Sequence, residues 1–299
     1  MAAMSDRRAP STLRRSRHPA VGALDRGGAL LQARLRDVLV GSAIILVPAI
    51  ALNLWMTVVA FDRFDSDDAL LPSFAGGTTG SGVEDVSAWM AIWFVSFVTT
   101  LVGAFAAQIL LGQRFGTVVT MRRAMTQTLK RFPAVAWLWL LTHWWVPVFT
   151  LVIVSSQDAD VGGLIFMYAV FALFASTFTL LAVPAMVGER IGAFAAAKRA
   201  FRLARLRFGA CMMFVVLATL LASAFLVGLA TLAPLLEVSG FVRFGGLTWL
   251  VQGVLVQIGV LAVVPLVALA TAQMYVEVRL DAEGLDLVIE ADAAFGAVR

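Results

Sequence analysis

The sequence predicts an all-α, polytopic membrane bundle of about six transmembrane helices, arranged as three pseudo-repeats of one interfacial helix and two spans. Three observations carry this: an apolar composition, six long stretches free of charge, and a one-sided distribution of Lys and Arg. Of 299 residues, 61% are hydrophobic and 14% charged, against roughly 25% charged in a soluble domain. Cys211 is the single cysteine, so no intrachain disulfide can form. The net charge of +4 does not point to nucleic acid, and no such partner is expected, because the basic residues sit in short stretches beside apolar spans.

Residues 1–18 form a basic arm with Arg7, Arg8, Arg14, Arg15 and Arg17, expected to be disordered. The apolar run that follows is too long for a signal-peptide core and ends without a small-x-small cleavage site, so the arm reads as retained, starting at Met1 or Met4. A span needs about 20 mostly apolar residues. Within a transmembrane domain of 19–276, the stretches 38–61, 87–112, 132–155, 161–187, 208–236 and 245–276 meet that requirement. Only Ser155, Ser156, Gln157, Asp158, Ala159 and Asp160 separate the third from the fourth, enough for a tight turn at a membrane surface. Residues 277–299 form a tail in which Glu277, Arg279 and Asp281 alternate with Val278 and Leu280 before a turn at Gly284. Leu285, Leu287, Val288 and Ile289 are too apolar to float, so the tail is expected to pack as a short element on the bundle or on another protein.

Orientation follows from the cations. Of the 23 Lys and Arg residues, only Arg63 and Arg243 fall in the loops on one side, which instead carries Asp62, Asp65, Asp67, Asp68, Glu84, Asp85, Asp158, Asp160 and Glu237. The Lys- and Arg-rich side is cytoplasmic in membrane proteins. Both termini are therefore expected inside, and the chain in a bacterial plasma membrane.

The two basic loops align without a gap, 76 positions apart: GQRFGTVVTMRRAMTQTLKRFPA (112–134) and GERIGAFAAAKRAFRLARLRFGA (188–210) share eight identities, among them Gly112/Gly188, Arg114/Arg190, Arg123/Arg199 and Phe132/Phe208. The segment 22–37 is a shorter, degenerate version. Each loop is expected to form an interfacial helix. In the second, Lys198, Arg202 and Arg205 share one stripe opposite Ala193, Ala196, Ala200 and Leu203; in the first, Val118, Met121, Met125 and Leu129 form an apolar stripe beside Arg122, Arg123 and Lys130. Such helices lie at a membrane surface with their arginines on lipid phosphates. The candidate contact residues are thus Arg122, Arg123, Lys130, Arg190, Lys198, Arg199, Arg202 and Arg205.

The phrase Pro184-Ala-Met-Val-Gly-Glu189-Arg190-Ile-Gly192, its continuation from Arg199 to Phe208, and the run Tyr275-Val-Glu277-Val-Arg279-Leu-Asp281-Ala-Glu283-Gly284-Leu285-Asp286 resemble one family. It is the membrane domain of glycerophosphoryl diester phosphodiesterase and its stand-alone bacterial relatives, actinobacterial ones above all. The resemblance covers most of 18–290 and implies a membrane domain without established chemistry of its own. Ala23 stands where an acid follows the glycine in that family, which leaves the register of the first unit open. The hydrolytic activity belongs to a soluble barrel with histidines and metal-binding carboxylates. This chain has two histidines, His18 and His143, and no long soluble segment, so the enzyme name does not carry over and no catalytic residue, metal or cofactor is assigned.

Two other features bear on function. The acids Asp62, Asp65, Asp67 and Asp68 read as a solvated loop before they read as a weak cation site. His143 lies within the third span, in Trp137-Leu-Trp139-Leu-Leu-Thr-His143-Trp144-Trp145-Val-Pro147, where an ionisable residue is a functional candidate by default. A neutral histidine also serves as an interhelical hydrogen-bonding group, as Asn53, Gln108, Gln252, Gln257 and Gln273 do, and that reading is preferred. The function expected is a non-catalytic scaffold or accessory subunit that binds membrane lipids or another membrane or cytoplasmic protein. The alternative is a transport or lipid-handling protein with a path near His143.

Overall fold

The computed structural model describes residues 17–61, 82–115, 117–149, 161–244 and 248–285. Regular structure among them is entirely helical. The chain runs α1 (Pro19–Ala33), α2 (Leu35–Phe61), α3 (Gly82–Arg114), α4 (Met121–Lys130), α5 (Phe132–His143), α6 (Val161–Thr179), α7 (Ala182–Gly188), α8 (Ala193–Leu206), α9 (Phe208–Val238) and α10 (Thr248–Glu283). Six of its helical stretches are long and apolar enough to cross a membrane. They lie in α2, α3, α5 with the turn that continues it, α6 with α7, α9 and α10. Each pair of spans is preceded by a short helix: α1, α4 or α8.

The joint between short helix and span is the same in all three units. One arginine stands there outside helical geometry: Arg34 (φ −128°, ψ 34°), Arg131 (φ −98°, ψ 8°) and Arg207 (φ −131°, ψ 44°). The hydrogen-bond ladder nevertheless crosses each bend. The arginine N–H donates to the carbonyl four residues earlier, of Leu30, Gln127 or Leu203. Its own carbonyl accepts from the N–H four residues later, of Val38, Val135 or Cys211. Arg131 and Arg207 are partners in the 76-residue repeat, and Arg34 supplies the register of the first unit. The quartet Ala33-Arg34-Leu35-Arg36 is identical to Ala204-Arg205-Leu206-Arg207, yet the bend falls two residues earlier than that match would place it.

Proline decides which spans stay whole. A proline has no N–H for the carbonyl four residues before it. Pro184 leaves Leu180 without that donor, and the expected span 161–187 is divided by a turn at 180–181 into α6 and α7. Pro147 does the same to His143, where α5 ends; helix resumes at 145–149. Pro48, Pro234 and Pro265 lie inside continuous helices.

α10 is the axis of the bundle, with its most extensive packing against α1, α9 and α3. α1 is more than a surface helix: Ala20, Ala23 and Gly27 are buried. A Cβ on Gly27 would come within 2.7 Å of the Ala270 backbone, so a glycine is what lets the two helix backbones approach. At 36 residues, α10 is roughly 54 Å long, well beyond a hydrocarbon layer of about 30 Å. The helix therefore runs on past the expected end of the last span at 276. The tail does not begin a separate element there but continues α10 to Glu283, where Gly284 at φ 61° ends it. Val278, Leu280 and Leu285 are buried, as their apolarity required, while Leu287, Val288 and Ile289 lie outside the described residues.

Candidate functional site

The last three turns of α10 carry the polar groups that organise the basic end of the bundle. Residues three and four apart share a helix face, and the spacing of Gln273, Glu277 and of Tyr275, Arg279, Glu283 makes two such faces. On the first, Gln273 donates its amide to Glu277 (2.7 Å) and accepts from Arg114 Nε at the end of α3 (3.0 Å). Arg26 of α1 pairs with the same Glu277 oxygen at 2.7 Å. Gln273 and Glu277 are 0% and 2% exposed, so each depends on these partners for compensation of its lost hydration. Three helices from opposite ends of the sequence are thereby tied to one carboxylate and its amide neighbour.

On the second face, Glu189 and Arg199 meet α10. Arg199 Nε donates to both Glu189 oxygens at 2.9 and 3.1 Å, and Arg199 Nη2 donates to Glu283 at 2.7 Å. Arg279 Nε donates to Glu283 at 2.9 Å and lies over the Tyr275 ring at 5.6 Å. The Tyr275 hydroxyl donates to Glu189 at 2.7 Å. Burial disfavours the Arg199 charge, but the hydrogen bonds it donates to Glu283 and Glu189 outweigh it and hold the guanidinium pKa above its ordinary value. Two arginines and two glutamates make this cluster neutral in itself. The backbone is bent to form it: Arg190 adopts φ 56°, a left-handed conformation that costs a non-glycine residue about 1–2 kcal/mol, and Glu189 stands just before that turn.

The bend arginines close a further set of contacts. Arg34 Nη1 donates to the Val119 carbonyl, Arg131 Nη1 to that of Met186 (both 2.9 Å), and Arg207 Nη2 to that of Asp281 (3.2 Å). In each case the acceptor lies at or just past the basic end of the second span of the same unit. A guanidinium is suited to this work, since it stays charged and offers five donors in a fixed fork.

The contact residues expected from sequence divide into two groups. Arg199 is the correction, because it is an internal ion-pair residue and not a surface contact. Arg122, Arg123, Lys130, Arg190, Lys198, Arg202 and Arg205 are exposed and have no carboxylate partner among the described residues. On α8 the inward stripe is as expected, with Ala193, Ala196, Ala200 and Leu203 buried. On α4 it is shifted: Ala124 and Thr128 are buried, with Met121 and Met125 partly so, whereas Leu129 is exposed and Val118 precedes the helix, exposed as well. The apolar residues α4 leaves outside are not its bundle contact.

The intramembrane polar residues do not assemble. His143 stays on its own helix, with Nδ1 at 3.2 Å from the Trp139 carbonyl and 2.9 Å from the Thr142 hydroxyl, its ring stacked on Trp139. No hydrogen bond joins it to Gln108, Gln252 or Gln257 among the described residues, and Gln273 belongs to the basic-end network. The Asn53 side chain and the acids Asp62, Asp65, Asp67 and Asp68 lie outside the described residues. Trp139 and Trp145 pack between helices, Trp139 against Trp93 and Phe97 of α3 with Nε1 donating to Ser96, and Trp145 against Tyr168 and Phe171 of α6, while Trp137 and Trp144 are exposed. No group of three His, Cys, Asp or Glu residues converges among the described residues.

Glu189, Tyr275, Glu277, Arg279 and Glu283 entered the sequence reading as carriers of a resemblance and were not singled out as a site. Their i, i+4 spacing across the expected end of the last span was the signal available, and it reads as a helix only once that span is allowed to continue. Six apolar spans closed at one end by ion pairs define a multi-pass membrane protein. Neither a protein-family model, nor a curated protein, nor a solved structure matches the chain.

Proposed function

We propose that the chain is a non-catalytic, multi-pass protein of the bacterial plasma membrane, a scaffold or accessory subunit whose basic face holds anionic lipid or an acidic protein partner. The observation that carries this is the sorting of charge at one end of the bundle. Its internal arginines are spent on its own carboxylates and carbonyls, while seven cations of α4, α8 and the loop before α8 are exposed and have no carboxylate partner among the described residues. By the positive-inside rule that end faces the cytoplasm, which places both termini inside. In the same reading the chain is a stand-alone relative of the glycerophosphoryl diester phosphodiesterase membrane domain, without the hydrolytic barrel, and the residues behind the resemblance hold the domain together.

The test is extraction in native lipid particles without detergent, followed by mass spectrometry of what co-purifies. A stoichiometric protein or an enriched anionic lipid, lost on charge reversal of Arg122, Arg123, Lys198, Arg202 and Arg205 together, is the expected result. Recovery that survives those changes but fails in His143→Ala would replace this reading by transport or lipid handling through the bundle. Reporter fusions at each terminus check the sidedness separately.

A further inference from the structure

The outward face of α4 differs from its counterpart on α8. Arg122, Arg123, Thr126, Gln127 and Lys130 recur at one, three and four residues, so they share the side of the helix opposite buried Ala124 and Thr128. With Thr120 they line a shallow concavity of about 390 Å³. Between Gly112 and Arg131 the sequence holds no Asp or Glu, and none of the three cations has a side-chain acceptor among the described residues. The repeat shows that this face is particular to α4. Its counterparts on α8, 76 residues on, are Lys198, Arg199, Arg202, Leu203 and Leu206. There Arg199 is turned inward to Glu189 and Glu283, Leu203 is buried, and Leu206 replaces the cation of Lys130.

The level of the face in the membrane follows from its neighbours. Lys130 precedes the start of span α5 at Phe132 by two residues, across the bend at Arg131. Leu129 and Phe132, 62% and 43% exposed, neighbour Lys130 in the chain. Apolar side chains left outside the bundle at the mouth of a span belong against the acyl boundary, and cations beside them then stand at the depth of the headgroups.

We infer that this face is a docking site for the phosphate headgroup of anionic phospholipids, with Arg122, Arg123 and Lys130 supplying its positive charge and Thr120, Thr126 and Gln127 further hydrogen-bonding groups. The cations of α8 contribute only diffuse attraction. The inference rests on the proposed reading of the basic face and adds its ligand and place.

The full chain, reconstituted in lipid nanodiscs of phosphatidylcholine with or without added phosphatidylglycerol, is released and its retained lipids counted by native mass spectrometry. Wild type should keep phosphatidylglycerol in preference to phosphatidylcholine. The triple variant Arg122→Ser, Arg123→Ser, Lys130→Ser should lose that preference by more than about tenfold, since each cation near an anionic surface adds severalfold to binding. The control Lys198→Ser, Arg202→Ser, Arg205→Ser removes the same charge and should keep most of it. An unchanged thermal unfolding midpoint in the α4 variant excludes loss of fold as the cause. Equal losses in both variants would reduce the effect to net charge and overturn the site. So would binding of inorganic phosphate to lipid-free protein at these residues without any lipid preference, or loss of a co-purifying protein from the α4 variant with lipid retention intact. In that last case the basic face would still bind, and the proposed function would stand while this site failed.

Discussion

The loops 112–131 and 188–207 descend from one pattern, and the structure uses them in opposite ways. In the second, Glu189, Arg199 and the end of α10 form a closed ion-pair network, reached through a left-handed turn at Arg190. In the first, Gln113 stands where the second has Glu189, Arg114 remains helical, and Arg123, the counterpart of Arg199, faces outward. Glu189 is the one carboxylate in either loop, and Tyr275, Arg279 and Glu283 of α10 complete the network it belongs to. The same repeated arginine is thus a structural tie in one unit and a surface cation in the other. Charge removed from a membrane protein's own ion pairs is charge available to lipid or to a partner, and this protein keeps both kinds at one end.

The comparison can be broken by four substitutions and one matched control, the four taken from strongest to weakest. Arg199→Glu would place three carboxylates around the single guanidinium of Arg279; removing one partner of a buried pair costs about 3–5 kcal/mol. The cluster is partly open, so about 3 kcal/mol is expected, read as a lowered unfolding midpoint in detergent. The matched change Arg123→Glu should stay within about 0.5 kcal/mol. Equal costs at the two positions would erase the distinction.

Glu277→Leu leaves Arg26 and the Gln273 amide without their shared acceptor and should cost about 2–3 kcal/mol, with α1 loosened from α10. Proteolysis after Arg26 checks this, because that bond is protected while α1 is docked. Gly27→Val presses a side chain on the Ala270 backbone and should cost about 1–2 kcal/mol by the same assay. If α1 stays protected in Gly27→Val, the close approach of α1 and α10 is not what holds it. Apart from the matched control, the smallest effect is expected from Gln113→Glu, which gives the first loop the missing acid. Without counterparts of Tyr275 and Glu283 beside it, a partly exposed pair adds at most about 1 kcal/mol. A larger gain would mean that one carboxylate suffices to convert a surface arginine into a tie.

Much of the architecture was legible beforehand, for reasons that particular residues make plain. The spans follow from runs of apolar residues alone, so α2, α3, α9 and α10 lie where the uncharged stretches put them. The breaks in the third and fourth spans were open to reading from Pro147 and Pro184, but Pro48, Pro234 and Pro265 have the same chemistry and leave their helices whole. Composition does not say which proline a helix will absorb. The stripe on α8 was legible because its small residues, Ala193, Ala196 and Ala200, fit only a close helix contact. That on α4 was misread because Val118 and Leu129 have the right polarity for a core, while the positions that face the bundle carry Ala124 and Thr128.

Hydropathy, the sidedness of Lys and Arg, and the gapless 76-residue repeat are properties of contiguous segments. The number of spans, the short helix before each pair and the basic end could therefore be derived from the order of residues. Which arginines are bound and which are left outside could not, because their partners are distant in the chain. Arg199 meets Glu283 across 84 residues, Tyr275 meets Glu189 across 86, and Arg114 meets Gln273 across 159. An exposed and a neutralised arginine are written with the same letter, and only the packing of α1, α3 and α8 around the end of α10 tells them apart.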